Sequence, residues 1–210
     1  TGKYNPPPFD CGKEIMNMLI DSQNRIWIAP YNGGVSCFTH DGTRLASYTT
    51  QNSELNNDVV LSLAEREGKI WIGTDGGGIN ILEPKTGKFT LLEHIPGSDN
   101  YSLPANSILC LYNDRNNNMW AGSIRNGLIS IREVSMKTYT NVLPGNDNGL
   151  SNNTVLSIYQ ESSDRIWVGT DGGGINLFNP VTEKFTHYPS TWQNKVASIC
   201  PFTSGNLLLS

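Results

Sequence analysis

The sequence predicts an all-β protein, a β-propeller built from four-stranded antiparallel blades. Three observations carry that prediction. A tryptophan-centred phrase recurs four times in 210 residues, at Trp27, Trp71, Trp120 and Trp167, at intervals of 44, 49 and 47. Around each copy, short runs of Val, Ile, Leu and Phe alternate with polar turns holding Gly, Asn, Asp or Pro, which is the signature of short strands. No stretch carries a convincing helical period. Even spacing marks a structural unit, and four strands in roughly 40–50 residues is the size of a propeller blade.

The unit can be followed strand by strand. The first strand is "EIMNMLI", "DVVLSLA", "NSILCLY" or "NTVLSIY", starting at Glu14, Asp58, Asn106 and Asn153. It is the most apolar and holds a small or polar residue near its middle (Asn17, Ser62, Cys110, Ser157), as a strand lining a tight central channel requires. The second strand carries the tryptophan in "IWIA", "IWIG", "MWAG" and "IWVG". An indole there fills the space between neighbouring blades, so all four tryptophans read as core residues. A glycine turn leads to the third strand, "GVSCF", "GINIL", "GLISI" or "GINLF", and a second polar turn to a fourth, as in "KFTLLEH" and "KFTHYP". Blades pack face to face, so both faces of each sheet are expected to be buried. The resulting segmentation is an outer strand at 1–9, blades at 10–50, 51–98, 99–143 and 144–190, and two strands of a further blade at 191–210. An outer strand before and half a unit after point to a piece of a longer propeller.

The stretch "TDGGGIN" occurs at Thr74–Asn80 and again at Thr170–Asn176. A phosphate-binding loop needs a helix after its glycines, and here a strand follows. The glycines therefore serve a hairpin that needs positive φ, with Gly77, Gly78, Gly173 and Gly174 as structural repeat residues. The other two copies keep less of the pattern, Gly33 and Gly34 in the first and Gly127 in the third.

Composition narrows the function. A formal net charge of −4 disfavours a nucleic-acid partner. No apolar run of 18 residues suggests a membrane span, and no leader is visible. Cys11, Cys37, Cys110 and Cys200 lie far apart and read as free thiols; neither a metal nor a cofactor is expected.

The pattern "VLSL…D/E…IWIGTDGGGIN…P.TGKF" resembles the two-component regulator propeller repeat, most closely at Val59–Thr90 and Val155–Tyr188. That resemblance implies a fragment of a seven-bladed propeller from the periplasmic sensor region of a Bacteroides-type hybrid two-component protein. It also implies a noncatalytic role in sensing polysaccharide-derived oligosaccharides and regulating glycan-utilisation genes, with a histidine kinase in the parent chain; the alternative readings are a structural protein-interaction or dimerisation propeller and, less favoured, a propeller lyase or glycosidase. The partners would be that oligosaccharide, the remaining blades, the downstream domains and a possible second copy.

A catalytic site is not evident. His40, His94 and His187 fall at non-equivalent outer positions and read as surface residues. Asp75 and Asp171 are equivalent turn residues, and turn chemistry accounts for them. Binding is expected on the rim formed by the second-to-third-strand turns and the between-blade loops. The departures from the glycine pattern stand out there: Tyr31 and Asn32, then Arg125 and Asn126. The candidate rim residues are these four with Asp75, Asp171 and Tyr101, the last in the loop "SDNYSLPAN"; "GNDNGLSNN" (145–153) is the matching loop. Asp58, Asn106, Asn153 and Asn194 share one place before the first strand and are expected to cap backbone groups.

Overall fold

The computed structural model describes residues 14–96, 102–132, 135–141, 148–188, 194–202 and 206–210. The expected outer strand at 1–9, with Cys11, Tyr101 and Trp192, lies outside them. Every regular element among the described residues is a strand. The first sheet holds β1 (Ile15–Ile20), β2 (Ile26–Pro30), β3 (Val35–Phe38) and β4 (Arg44–Tyr48). The second holds β5 (Val60–Arg66), β6 (Lys69–Thr74), β7 (Ile79–Glu83) and β8 (Lys88–Leu92). The third holds β9 (Ile108–Asn113), β10 (Met119–Ser123), β11 (Leu128–Arg132) and β12 (Ser135–Tyr139). The fourth holds β13 (Val155–Ser162), β14 (Arg165–Thr170), β15 (Ile175–Asn179) and β16 (Lys184–Tyr188); β17 (Ile199–Pro201) pairs with β18 (Leu207–Leu209). Each four-stranded sheet is an antiparallel meander in chain order. The chain is a run of propeller blades.

First strands of successive sheets pack on one another in series, β1 on β5, β5 on β9, β9 on β13 and β13 on β17, as strands converging on an axis do. The register explains the small central residue. Ser62 stands opposite Gly73, Cys110 opposite Gly122 and Ser157 opposite Gly169. The Ser62 hydroxyl donates to Ile108 O of the next blade (3.5 Å) and the Ser157 hydroxyl to Val196 O (3.1 Å). A Cβ on Gly73 would lie 2.3 Å from Ser62 Oγ and 2.9 Å from Ile108 Cγ2, so the glycine lets the next blade approach.

Three hydrophobic clusters fill the blade boundaries. Trp27 packs with Val60 and Leu63, Trp71 with Ile108 and Met119, and Trp120 with Val155 and Phe178. Trp167 is half-buried beside Tyr188, with ring centroids 5.5 Å apart. The carboxylate six residues before each tryptophan has a role that only the structure reveals. Trp27 Nε1 donates to Asp21 (2.8 Å), Trp120 Nε1 to Asp114 (2.9 Å) and Trp167 Nε1 to Glu161 (2.7 Å). The second blade breaks the rule. Glu65 accepts from Ser22 N (2.6 Å) and Ser22 Oγ (2.5 Å) of the preceding blade, and Trp71 Nε1 is buried without a partner among the described residues.

In β1, the first described strand, Ile15, Met16, Met18 and Ile20 are exposed, and among the described strands β1 packs mainly on β2 and β5.

Candidate functional site

The rim is built from paired pieces, a second-to-third-strand hairpin and the loop that enters the next blade. Each hairpin takes two left-handed residues. They are Asn32 and Gly34 (φ 50° and 64°), Gly76 and Gly78 (90° and 71°), Arg125 and Gly127 (67° and 78°), and Gly172 and Gly174 (99° and 72°). In the first three hairpins the second of the pair must be glycine, since a Cβ at Gly34, Gly78 or Gly127 would sit 2.1, 2.3 or 2.1 Å from the backbone oxygen of Tyr48, Leu92 or Tyr139. A hydroxyl closes three of these turns, with Thr74, Ser123 and Thr170 donating to the carbonyls of Gly78, Gly127 and Gly174.

The loop residue before each first strand clamps the hairpin. Asn106 O accepts from Gly76 N and Gly78 N (3.1 and 2.7 Å), and Asn194 O accepts from Gly172 N and Gly174 N (both 2.8 Å). Asp58 O and Asn153 O take the N–H groups of Gly34 and Gly127 (3.0 and 2.8 Å). The side chains cap the preceding outer strand: Asp58 accepts from Thr50 N (2.8 Å), Asn106 from His94 N (2.6 Å) and Asn153 from Asn141 N. The glycine amides at 76, 78, 172 and 174 are thus committed to the fold and are not free to cradle an anion.

Two histidines do more than decorate the surface. The His94 ring bonds Leu103 O (2.7 Å) and the His187 ring bonds Gly149 O (2.7 Å), each pinning a between-blade loop. Both side chains are exposed, as the surface reading expects, and the ring bonds give each a local role beside it.

At the third hairpin the rim opens. A cleft of about 400 Å³ is lined by Arg125, Asn141, Ser151, Asn152, Asn153 and Thr154. Its wall is tied together by hydrogen bonds. Ser151 N donates to Asn176 Oδ1 (2.9 Å), Asn176 Nδ2 donates to Ser151 Oγ (2.9 Å), and Asn141 Nδ2 donates to Ser151 O (2.7 Å). Asn152 Oδ1 accepts from Thr154 N (2.8 Å), and Thr154 O accepts from Asp171 N (2.9 Å). Arg125 itself is exposed and forms no hydrogen bond or ion pair among the described residues.

The other candidates do not join it. Tyr31, 59% exposed, and Asn32 stay on the first hairpin. Asn126 occupies the middle of the third hairpin, the place of Gly77 and Gly173, but does not line the cleft. The Asp75 carboxylate accepts from the Ser107 hydroxyl (2.8 Å), and the Asp171 backbone forms an isolated antiparallel β-bridge with Lys195. Sequence reasoning missed Asn141 and Thr154. Asn141 follows the third outer strand where Thr50 and His94 follow theirs, and that equivalence was its only signal. Among the described residues no group of His, Cys, Asp and Glu could hold a metal ion.

The repeat found in the fold also has a family model, described as the two component regulator propeller, which matches residues 54–76, 102–125 and 149–172. The chain carries two component regulator propeller repeats. Each matched segment of the regulator propeller runs from a between-blade loop through the first and tryptophan strands. It stops at Gly76, Arg125 or Gly172, the hairpin position that borders the cleft in the third copy. No curated protein matches the chain. Among solved structures, the extracellular domain of the hybrid two component system BT3049 from B. thetaiotaomicron is similar at 23% identity and a TM-score of 0.76 over 93% of this chain. The extracellular domain of BT4673 from the same organism is similar at 18% identity and a TM-score of 0.61 over 93%. A streptogramin B lyase shares the fold at 16% identity and a TM-score of 0.68 over 93% of this chain and 61% of its own. The chain spans 26% and 30% of the first two structures, and at these identities all three show the propeller fold alone.

Proposed function

We propose that this chain is part of an extracytoplasmic, noncatalytic sensing propeller of a hybrid two-component system. In that role it takes polysaccharide-derived oligosaccharides on its rim and so regulates transcription of glycan-utilisation genes. The observation that carries the reading is the regulator propeller repeat whose third copy opens a polar cleft between its hairpin and the next between-blade loop. Carboxamides and hydroxyls on a hydrogen-bonded wall suit a hydroxyl-rich ligand. The similarity to extracellular domains of two-component systems supports a location outside the cytoplasm, and the periplasm is the compartment proposed. A histidine kinase domain elsewhere in the parent protein would receive the signal.

Thermal melts of the full parent chain with oligosaccharides from polysaccharide digests test this. A ligand at a hundred times its Kd adds about 2.7 kcal/mol to the folded state. For a unit of this size, that raises Tm by roughly 5–10 °C. If no oligosaccharide moves the melt, the sensing role is wrong.

A further inference from the structure

We infer that the Arg125 cleft is an anion subsite, shaped for a carboxylate or sulfate group carried on a sugar. The inference rests on the oligosaccharide reading for the sugar and on the cleft alone for the charge.

The backbone supplies the first argument. Arg125 has φ 67° at the hairpin position where the second and fourth blades have Gly76 (90°) and Gly172 (99°) and the first has Asn32 (50°). Glycine adopts this region without penalty, and Asn tolerates it better than most side chains. Arginine brings nothing the turn needs. Its side chain is also unpaired among the described residues, in a chain of net charge −4 where counter-ions are plentiful. A strained, solvent-facing cation without a structural partner points to a ligand.

The hydrogen-bond inventory supplies the second. The carboxamide oxygens of Asn152 and Asn153 are consumed by Thr154 N and Asn141 N. The amide nitrogens of both residues and the Thr154 hydroxyl donate to nothing among the described residues. Added to the guanidinium, these make a wall rich in free donors, against one free carboxamide oxygen on Asn141. No carboxylate lines the cleft among the described residues. A surplus of donors around a planar guanidinium selects an acceptor-only group, and carboxylate and sulfate both accept from arginine in a bidentate way. The loop bonds that hold the wall are already made, so binding requires little ordering.

The test is calorimetric titration of the full parent chain with four probes: a uronate-containing disaccharide, an O-sulfated disaccharide, the neutral disaccharide of the same linkage, and inorganic sulfate. The uronate and sulfated arms separate the two sources of the anion. One of them is expected to bind, and its neutral counterpart to bind at least tenfold more weakly. R125G should weaken the anionic disaccharide by roughly tenfold to a hundredfold, as loss of a charged hydrogen bond does. It should leave Tm equal or higher, because glycine is what the sister hairpins use at this place. R125K should recover only part of the affinity, lacking the bidentate fork. Equal binding of the neutral sugar, or an unchanged affinity in R125G, overturns the anion subsite and leaves oligosaccharide sensing standing. Inorganic sulfate binding as tightly as the sulfated disaccharide, and lost in R125G, upholds the anion subsite and removes the sugar. Failure of all four probes to bind at millimolar concentration overturns the subsite.

Discussion

Replacing Asp114 by alanine tests how the blades are locked, because the second blade supplies an internal control. Asp114 is buried, and its carboxylate accepts from Asn116 N (2.9 Å), Asn118 N (2.8 Å), Asn118 Nδ2 (3.0 Å) and Trp120 Nε1 (2.9 Å). Trp120 is 1% exposed, so D114A strands its indole N–H where no water reaches. An unsatisfied buried donor costs about 1–3 kcal/mol, and the turn also loses backbone bonds to a charged acceptor. A loss of about 2–4 kcal/mol follows, a fall in Tm of roughly 5–15 °C for a unit of this size. Glu65 holds the equivalent place, yet its carboxylate bonds Ser22, and Trp71 Nε1 is already without a partner. E65A therefore removes only a half-exposed contact, and the loss should stay below about 1 kcal/mol. Urea unfolding followed by circular dichroism measures both, and the slope m should not change. If E65A destabilises the protein as much as D114A, Glu65 bonds Trp71 in solution and the redirected carboxylate is wrong. D114N, which keeps an acceptor for the indole, should recover part of the loss.

The remaining predictions rest on the same packing. G73A places a methyl carbon 2.3 Å from Ser62 Oγ and 2.9 Å from Ile108 Cγ2, and should lower stability by about 1–3 kcal/mol in the same unfolding assay, with S62A restoring part of it. Burial by itself raises the Asp21 carboxyl, but the donors Trp27 and Arg25 together outweigh it and hold the group below its ordinary value. The stability it contributes is complete above its unfolded pKa and fades as pH falls through the lower folded value, so D21N should flatten the acid limb of the urea midpoint between about pH 5 and pH 2. Burial raises the Cys37 thiol to about 11 and the Cys110 thiol to about 12, while Cys200 is exposed. Among the three described thiols, alkylation at about pH 8 read by mass spectrometry should mark Cys200 first, Cys110 more slowly and Cys37 only on unfolding; rapid native labelling of Cys37 would contradict its burial.

How far the rim could be read from the residues varied with the kind of interaction. Arg125 stood out as a departure from the repeat and 145–153 as a between-blade loop, and Ser151, Asn152 and Asn153 of that loop line the cleft with Arg125. Tyr31, Asn32, Asp75 and Asp171 stood out equally, yet none of them lines the cleft, because pattern shows which residues are unusual but not which face one another. Asn141 and Thr154 gave almost no signal, since their role depends on where the neighbouring blade brings them.

By itself the sequence determined the architecture. Apolar runs, turn residues and the tryptophan period repeat because each blade is a local meander whose strands pair with their chain neighbours. Local pairing leaves a local trace. What crosses from one blade to the next was decided only by the tertiary structure: the Ser62 hydroxyl on Ile108 O, the Asn106 clamp on Gly76 and Gly78, the turn of Glu65 from its own Trp71 to Ser22, and the loop wall set opposite Arg125. The Ser62 and Glu65 contacts span 46 and 43 positions of chain. Whether a given polar side chain satisfies its own blade or its neighbour depends on distances of a few ångströms, which no repeat pattern encodes.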